Sequence, residues 1–291
     1  MNKQIPNIIV TGGCGFIGSH LVERLLAEGF FVTVVDDRRA GNNVVTHPNV
    51  LYIFQDVGVF NPFVSEIDPP VAIFHLANSP RVRRSLDYPT ETIVNNVVTT
   101  ATVCDWARVM NCRLFFATSS STKYIKESRN PYTWSKYTCE DMLTLYKDLY
   151  GLEYTKMFFY NVYGPREADY GEYSTVIRKF KQDYLQGKSL TVFGTGAKER
   201  DFTHVYDVVQ GLLDLLIDEQ WYENVHLGKG SPQTIQSIAE EFNTSIVYSF
   251  DKEGEAQRTM CERPYTECPT NVHTYIRNWV RENSGDRQIS R

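Results

Sequence analysis

The 291-residue sequence predicts an α/β fold with a doubly wound parallel sheet and a smaller C-terminal region. Three observations predict this class: short continuous apolar runs, helical apolar patterns between them, and a glycine-rich turn after the first run. Continuous apolar runs are typical of parallel strands that helices cover on both faces.

The order of the runs predicts the elements. Five strands are expected at residues 8–10, 31–35, 50–54, 71–77 and 113–117, a sixth strand precedes Asn161, and long helices are expected at 91–110 and 132–150. About fourteen residues between the second and third strands predict a loop or a very short helix. Beyond Tyr163, glycines interrupt the pattern. We expect a nucleotide-binding domain at 1–162, to which about 191–220 return, and a mainly substrate-binding region at 163–291.

The turn at residues 11–18, TGGCGFIG, predicts a dinucleotide site of the Rossmann type. Gly13, Gly15 and Gly18 match the fingerprint that allows a tight turn and close approach of a pyrophosphate. Gly12, Phe16 and Ile17 belong to the same turn, and the helix that follows attracts the anion at its N-terminus.

The second strand ends at Asp36, where a carboxylate can bind a ribose diol. Because this carboxylate would repel a 2′-phosphate, it favours NAD over NADP. Arg38 and Arg39 follow directly, and because their positive charges could attract a 2′-phosphate, they weaken the preference for NAD.

Composition excludes some classes of partner. The net charge of -5 and pI near 5.7 provide no basic surface for nucleic acid or an acidic membrane. No apolar stretch reaches the roughly 20 residues that span a bilayer, and residues 1–4 lead into the first strand without a signal sequence, so we expect a cytoplasmic protein.

The six cysteines lie far apart and predict free thiols and no metal site, although Cys261 and Cys268 are near enough in sequence for a bridge in an oxidising compartment.

A catalytic pair is predicted at the start of the helix after strand five. Tyr132 and Lys136 are four residues apart and share a helix face. An ammonium beside a phenol lowers the pKa of the phenol toward that of a working base. Tyr184/Lys188 and Tyr248/Lys252 have the same spacing, but only the first pair follows a strand that ends in hydroxyl residues.

Together these segments resemble the extended short-chain dehydrogenase/reductase superfamily, and within it the NAD-dependent nucleotide-sugar epimerase/dehydratase family. The resemblance covers about residues 7–210. It rests on TGGCGFIGSH at 11–20, VVDD at 34–37, FHLA at 74–77, NNVVTTA at 95–101, SSST at 119–122, YTWSK at 132–136, YNVYGP at 160–165 and VFGTGAKERDFTHVYDVV at 192–209.

The resemblance implies roles for individual residues. Tyr132 and Lys136 act on a sugar hydroxyl while NAD takes and returns a hydride, and the catalytic hydroxyl is Ser120, with Ser119 and Ser121 as register alternatives. NAD contacts are expected from Asp56, Val57, Leu76, Ala77 and Asn95, although Asp56 also suits a turn cap. Substrate contacts are expected from Arg83, Asn161, Arg200 and Arg258. Arg263 is an alternative to Arg258. Arg81, Arg83 and Arg84 precede SLDYP at 85–89, much as in hexosamine and uronate 4-epimerases; they either face the diphosphate or a carboxylate of the substrate or form a solvated charge run.

The resemblance also reduces the number of activities to be expected. Dehydratases and uronate decarboxylases of this kind carry carboxylates where this chain has Ser121 and Thr122, so a UDP-sugar 4-epimerase is the expected activity. The alternatives are an NADPH-dependent keto-sugar reductase and a non-catalytic sugar-nucleotide or NAD sensor; the short segment between Ser120 and Tyr132 suggests the latter. A homodimer is expected through helices 91–110 and 132–150. His75 and His204 are expected to be packed or hydrogen-bonded.

Overall fold

A parallel sheet forms the centre of the computed structural model, which describes residues 5–64, 67–126, 129–168, 174–251 and 256–287. Within these residues the sheet has seven strands: β1 (Asn7–Thr11), β2 (Phe31–Val35), β3 (Val50–Ile53), β4 (Pro70–His75), β5 (Arg113–Ser119), β6 (Tyr154–Phe159) and β11 (Asn224–Leu227). Their order is β11-β6-β5-β4-β1-β2-β3, and every neighbouring pair is parallel. The order reverses at β1, between β2 and β4, where such sheets bind their ligands.

Helices cover both faces of the sheet. They are α1 (Phe16–Ala27), α2 (Val82–Asp87), α3 (Pro89–Met110), α4 (Pro131–Tyr150) and α6 (Val205–Ile217). Because side chains alternate along a strand, Ile8 and Val10 of β1 pack with α1 and α6, whereas Ile9 packs with α3 and α4. The sheet is therefore buried on both faces, as its apolar runs predicted.

The C-terminal region has a core of its own. Its elements are β7 (Val162–Tyr163), α5 (Val176–Leu185), β8 (Leu190–Phe193), β9 (Glu199–Arg200), β10 (Thr203–His204), β12 (Gln233–Thr234), α7 (Ile235–Glu240), β13 (Ile246–Ser249) and α8 (Val272–Asn283). Phe180, Tyr184 and Phe242 pack at its centre. Strands β7 and β10, β8 and β13, and β9 and β12 form three separate pairs.

The doubly wound fold class is confirmed, with differences at some boundaries. The third strand ends at Ile53, the fourth at His75, and the fifth continues to Ser119. The segment that returns to the sheet is α6 and β11, whereas β8 and β9, most of which lie in the range expected there, pair with the C-terminal strands β13 and β12. The connection between β2 and β3 is a loop, as expected. In the parts of the chain that the structure describes, no helix is long and apolar enough to cross a membrane.

Candidate active site

A cavity of about 830 Å³ opens at the carboxyl ends of the strands, between the sheet and the C-terminal region. It brings together nearly all of the predicted site residues. Those lining it are Gly12, Gly15, Phe16, Ile17, Gly18, Asp36, Asp56, Val57, Leu76, Ala77, Arg83, Asn95, Ser120, Tyr132, Lys136, Asn161 and Arg200. Arg258 is absent from the described residues that line it.

The glycine-rich turn fits a dinucleotide. Gly12 has φ +74°, and a Cβ there would lie 2.7 Å from the backbone nitrogen of Ala77. A Cβ on Gly18 would lie 2.1 Å from the carbonyl oxygen of Gly12, so strand and helix approach too closely for any side chain. Gly15 is the N-cap residue of α1. It has no side chain, so no side-chain hydrogen bond caps this end of the helix. The first backbone N–H groups of the helix are thus placed to bind a pyrophosphate.

Asp36 lies at the end of β2 and is 8% exposed. Its carboxylate accepts hydrogen bonds from the backbone N–H groups of Cys14, at 2.9 Å, and Arg38, at 2.6 Å. Burial raises the pKa of Asp36, and these two hydrogen bonds act in the opposite direction. The carboxylate remains on the cavity wall, where it can also accept a ribose hydroxyl.

The arginines that follow Asp36 are engaged with neighbouring side chains. Arg39 pairs with Asp37 and Asp56, and Arg38 lies 4.2 Å over the ring of Phe54. These contacts oppose a role for the arginines in binding a 2′-phosphate. Asp56 also accepts the backbone N–H of Gly58 at 2.7 Å, so it does cap a turn while lining the cavity.

Tyr132 lies in the first turn of α4, where Asn130 caps the helix by accepting the backbone N–H of Thr133. Hydrogen bonding with Ser119, the last residue of β5, lowers the pKa of its phenol. Ser120 also lines the cavity but is buried at the start of a short 3₁₀ helix, Ser120–Tyr124. Ser119 and Ser120 thus both line the cavity that Tyr132 lines.

Lys136 differs from its expected arrangement. Its buried Nζ donates to the carbonyl oxygen of Ala117 at 2.6 Å and lies 4.8 Å from the ring centre of Phe116. Burial lowers the pKa of Lys136 to about 8. Burial also raises the pKa of Tyr132, whereas the hydrogen bond from Ser119 and the charge of Arg81 lower it. We expected the phenol pKa to be lowered beside Lys136; instead desolvation raises it, and the cation that opposes this is Arg81.

The three arginines of the charge run are placed differently. Arg81 and Arg83 line the cavity, and Arg83, whose side chain is 62% exposed, forms an ion pair with Asp87 at 3.4 Å. Arg84 pairs with Glu91 at 2.6 Å. For Arg81 the sequence left open a contact with the anionic groups of the substrate or a place in a solvated charge run, and the structure brings it to the cavity wall.

The predicted substrate contacts come from the C-terminal side of the cavity. The Asn161 side chain donates to the carbonyl oxygen of Asp201, at 3.2 Å, and to the hydroxyl of Thr259, at 3.1 Å. Arg200 lines the cavity from β9. Arg258 is 56% exposed and pairs with Glu199 at 3.1 Å, so the structure does not bring it to the cavity wall.

Sequence reasoning missed a set of residues on α5, β8 and the segment after β8. They line the same end of the cavity: Lys179, Gln182, Asp183, Thr191, Phe193 and Lys198. Only the amphipathic pattern of α5 indicated that this helix packs on the fold, and nothing in the pattern indicated which ligand its polar face meets.

The histidines considered from the sequence are buried and hydrogen-bonded, and the cysteines are unbridged. Burial lowers the pKa of His75 to about 3, and its ring nitrogens lie 2.8 Å from the hydroxyl of Thr11 and 3.2 Å from that of Thr100. His204 caps α6, and burial lowers its pKa to about 4. All six cysteines are free thiols. Among the described residues, no three His, Cys, Asp or Glu side chains cluster as a metal site would require.

Comparison with known proteins identifies the family. The model of the NAD dependent epimerase/dehydratase family matches residues 8–227, and the chain belongs to this family. A UDP-glucose 4-epimerase of Mycolicibacterium smegmatis is 33% identical over 225 residues, which cover 70% of this chain and 71% of that protein. A UDP-N-acetyl-alpha-D-glucosaminuronate decarboxylase of Bacillus cytotoxicus is 29% identical over 256 residues, covering 81% and 78%.

A solved structure extends the similarity to nearly the whole chain. The UDP-glucose 4-epimerase of Thermotoga maritima, solved with UDP-glucose, has a TM-score of 0.86 and 25% identity and covers 96% of this chain and 99% of that one. The family indicated by the motifs is thus confirmed, and it is NAD-dependent. Its members include epimerases and decarboxylases, so membership does not define the reaction.

Proposed function

We propose that this protein is an NAD-dependent nucleotide-sugar epimerase that inverts C4 of a UDP-sugar through a 4-keto intermediate. The observation that carries the proposal is the convergence of Ser119, Ser120, Tyr132 and Lys136 on one cavity wall beside the dinucleotide turn. Ser121 and Thr122 supply hydroxyls rather than carboxylates next to this wall. The residues expected for elimination or decarboxylation are therefore replaced, and those for oxidation and reduction of a sugar carbon are present.

The cavity residues suit distinct parts of two ligands. The turn at Gly12–Gly18 would hold the NAD pyrophosphate and Asp36 a ribose diol. When bound, NAD supplies reversible acceptance of a hydride. Arg200 offers a planar cation for the substrate diphosphate, and Asn161 lies on the same side of the cavity.

Tyr132 is proposed to move the proton. Its phenolate takes the proton of the sugar 4-hydroxyl as the C4 hydride leaves, and returns it when hydride is added to the opposite face of the keto sugar. Ser119 or Ser120 donates a hydrogen bond to the reacting oxygen, and Lys136 lines the same cavity wall. The product has the same atomic composition as the substrate after one cycle, and no reduced cofactor is consumed.

A panel of UDP-, GDP- and dTDP-sugars incubated with the protein and NAD, and in parallel with the protein and NADPH, tests the proposal. The expected result is a chromatographically distinct product of unchanged mass, with no net consumption of NADH or NADPH. Net oxidation of NADPH would instead indicate a keto-sugar reductase. If calorimetry detects binding of a sugar nucleotide while every sugar stays unchanged, the protein is a sensor and the proposal is wrong.

Replacing Tyr132 by Phe tests the assignment of the base. Tyr132→Phe removes the ionisable hydroxyl, so turnover should fall by at least about a hundredfold while NAD binding persists. Tyr184→Phe is the matched control, because Tyr184 has the same spacing to a lysine but packs in the C-terminal core. Turnover and NAD affinity by calorimetry are the measurements; normal turnover of Tyr132→Phe would exclude this residue as the base.

We further propose that the protein forms a homodimer through α3 and α4. Each helix exposes an apolar stripe at helical spacing: Val94, Val98 and Val109 on α3, and Tyr137, Leu145 and Leu149 on α4. These side chains are between 47% and 62% exposed. The two helices pack side by side, so the stripes form adjacent parts of one surface that a second copy of the chain can cover.

A further inference from the structure

Glu167 is a buried carboxylate that the proposed reaction does not use. It lies in the segment between β7 and α5 and is 4% exposed. Glu167 is not among the described residues that line the cavity, but Ala168, Ser174 and Thr175 of the same segment are. Removing a carboxylate from water is costly unless hydrogen bonds compensate for the loss. The partners of Glu167 therefore indicate what its burial achieves.

Each carboxylate oxygen of Glu167 accepts a hydrogen bond from a different end of this segment. The backbone N–H of Gly164, directly after β7, donates to Oε1 at 2.8 Å. The hydroxyl of Thr175, directly before α5, donates to Oε2. Burial raises the pKa of Glu167, whereas these two hydrogen bonds lower it. The hydroxyl of Ser174 also donates to the carbonyl oxygen of Ala168, at 3.0 Å. The end of β7 is thereby joined to the start of α5.

Thr175 extends this connection into the helix. Its hydroxyl oxygen accepts the backbone N–H of Arg178 at 3.1 Å, so Thr175 is the N-cap residue of α5. A hydroxyl group donates one hydrogen bond and can accept others at the same oxygen. Glu167, Thr175 and the first turn of α5 therefore form one continuous hydrogen-bonded set.

The helix that this set holds forms part of the cavity wall. Its polar residues Lys179, Gln182 and Asp183 line the end of the cavity formed by the C-terminal region. Ile177 and Phe180 of the same helix pack in the C-terminal core. Apolar packing is not directional, whereas a hydrogen bond weakens steeply when its angle changes. The core thus fixes how deeply α5 packs, and the hydrogen bonds at its first turn fix its orientation.

We infer that Glu167 is a positioning residue for the substrate-binding side of the cavity and acts through Thr175 on α5. The inference rests on the proposed function, in which a sugar nucleotide occupies this side and NAD occupies the turn at Gly12–Gly18. The base, Tyr132, lies on α4 and is positioned by other elements. Loss of the connection therefore weakens substrate binding and leaves the chemical step intact, which raises KM at unchanged kcat.

Three variants at Glu167 and Thr175 test the inference. In Glu167→Gln the amide oxygen can accept from only one of the two donors, and in Thr175→Val the hydroxyl is lost. Both variants should raise KM about tenfold, with kcat within about twofold of wild type and NAD affinity by calorimetry unchanged. Thr175→Ser keeps the hydroxyl and should have a KM near that of wild type.

Asn271→Ala is the matched control for loss of a helix cap. Asn271 caps α8, which packs in the same core, and no described residue of α8 lines the cavity. Its replacement should cost similar stability and leave KM unchanged. The inference is overturned by a wild-type KM in Glu167→Gln and Thr175→Val, by an equal rise of KM in Asn271→Ala, or by an equal rise in Thr175→Ser.

A second measurement needs no substrate. Amide hydrogen exchange of peptides that cover α5, read by mass spectrometry, should be faster in Glu167→Gln and Thr175→Val than in wild type. In Thr175→Ser and Asn271→Ala it should match wild type. If the sugar panel yields no product but this difference is present, the proposed reaction fails and the positioning of α5 by Glu167 stands. If turnover occurs and both KM and exchange in Glu167→Gln match wild type, only the inference about Glu167 fails.

Discussion

Lys181 makes the stability of the C-terminal core depend on pH. It is 3% exposed, and its Nζ donates to the hydroxyl of Tyr275 at 2.8 Å. Burial lowers the pKa of Lys181 to about 8, although the charge of Glu167 acts in the opposite direction. An unfolded lysine has a pKa of about 10.4. Between these values the unfolded chain binds the proton and the folded chain does not, so folding becomes more favourable as pH rises.

Lys181→Met isolates this contribution to the free energy of unfolding. The stability of wild type relative to Lys181→Met should rise between pH 8 and 10.4, by up to about 3 kcal/mol, because the cost of a buried ammonium disappears. Urea denaturation at several pH values measures the difference, and other titrating groups cancel between the two proteins. Lys179→Met, on the same helix but exposed, controls for the added methionine. A difference that stays constant with pH would show that Lys181 remains charged.

The predicted catalytic hydroxyl shows how far a sequence can specify a single residue. The motif indicated a hydroxyl at the end of strand five, and its spacing selected Ser120 with Ser119 and Ser121 as alternatives. Neighbouring strand residues face opposite sides, so a shift of one residue in the register would change which hydroxyl meets the phenol. The choice depends on where β5 gives way to the 3₁₀ helix, and tertiary packing sets that boundary.

At the scale of elements, the strand, turn and helix at residues 7–27 depend on glycine for close packing. Gly18→Ala would place a Cβ 2.1 Å from the carbonyl oxygen of Gly12, so the turn must move. We expect a loss of roughly 1–3 kcal/mol in stability and a weakened NAD affinity, since the same backbone borders the cavity. Thermal denaturation and calorimetry measure the two effects. Gly285→Ala, where an added Cβ meets nothing within 4 Å, should match wild type; an unchanged Gly18→Ala would contradict the packing argument.

Elements with long apolar patterns were predictable, whereas short ones were not. Strands β1, β2, β4 and β5 are buried on both faces and so leave continuous apolar runs in the sequence. Strand β11, with the sequence Asn-Val-His-Leu, has no such run, although it completes the sheet beside β6. Strands β7, β9, β10 and β12 have two residues each, too few to show any periodicity.

At the scale of the whole molecule, the two sides of the cavity differed in how well the sequence predicted them. The side formed by the sheet carries motifs whose spacing follows from the chemistry of a pyrophosphate and a ribose. The side formed by α5 and β8 presents Lys179, Asp183 and Phe193, which only folding brings to the cavity. A ligand that fills the cavity contacts both sides, so motif spacing alone indicates the cofactor more readily than the substrate.

The proposed dimer makes a prediction at the same scale. Leu145 is 53% exposed in the middle of the α4 stripe. A two-fold axis at this face places each α4 near its symmetry mate, so Leu145→Glu introduces two like charges into one apolar interface. Light scattering should give wild type about twice the 33.5 kDa chain mass and Leu145→Glu a single chain mass. Ile217→Glu is the control, because Ile217 is 64% exposed at the end of α6, away from both helices.

The outcome also distinguishes an interface from an ordinary surface patch. A wild-type monomer, or a dimer that survives Leu145→Glu, would contradict the assignment to α3 and α4. Helix α4 also carries Tyr132 and Lys136, and α3 carries Asn96, which donates to the hydroxyl of Ser135 on α4 at 2.9 Å. If the dimer forms as proposed, the monomeric variant should also lose part of its kcat, because the helices that position the base lose their apolar cover.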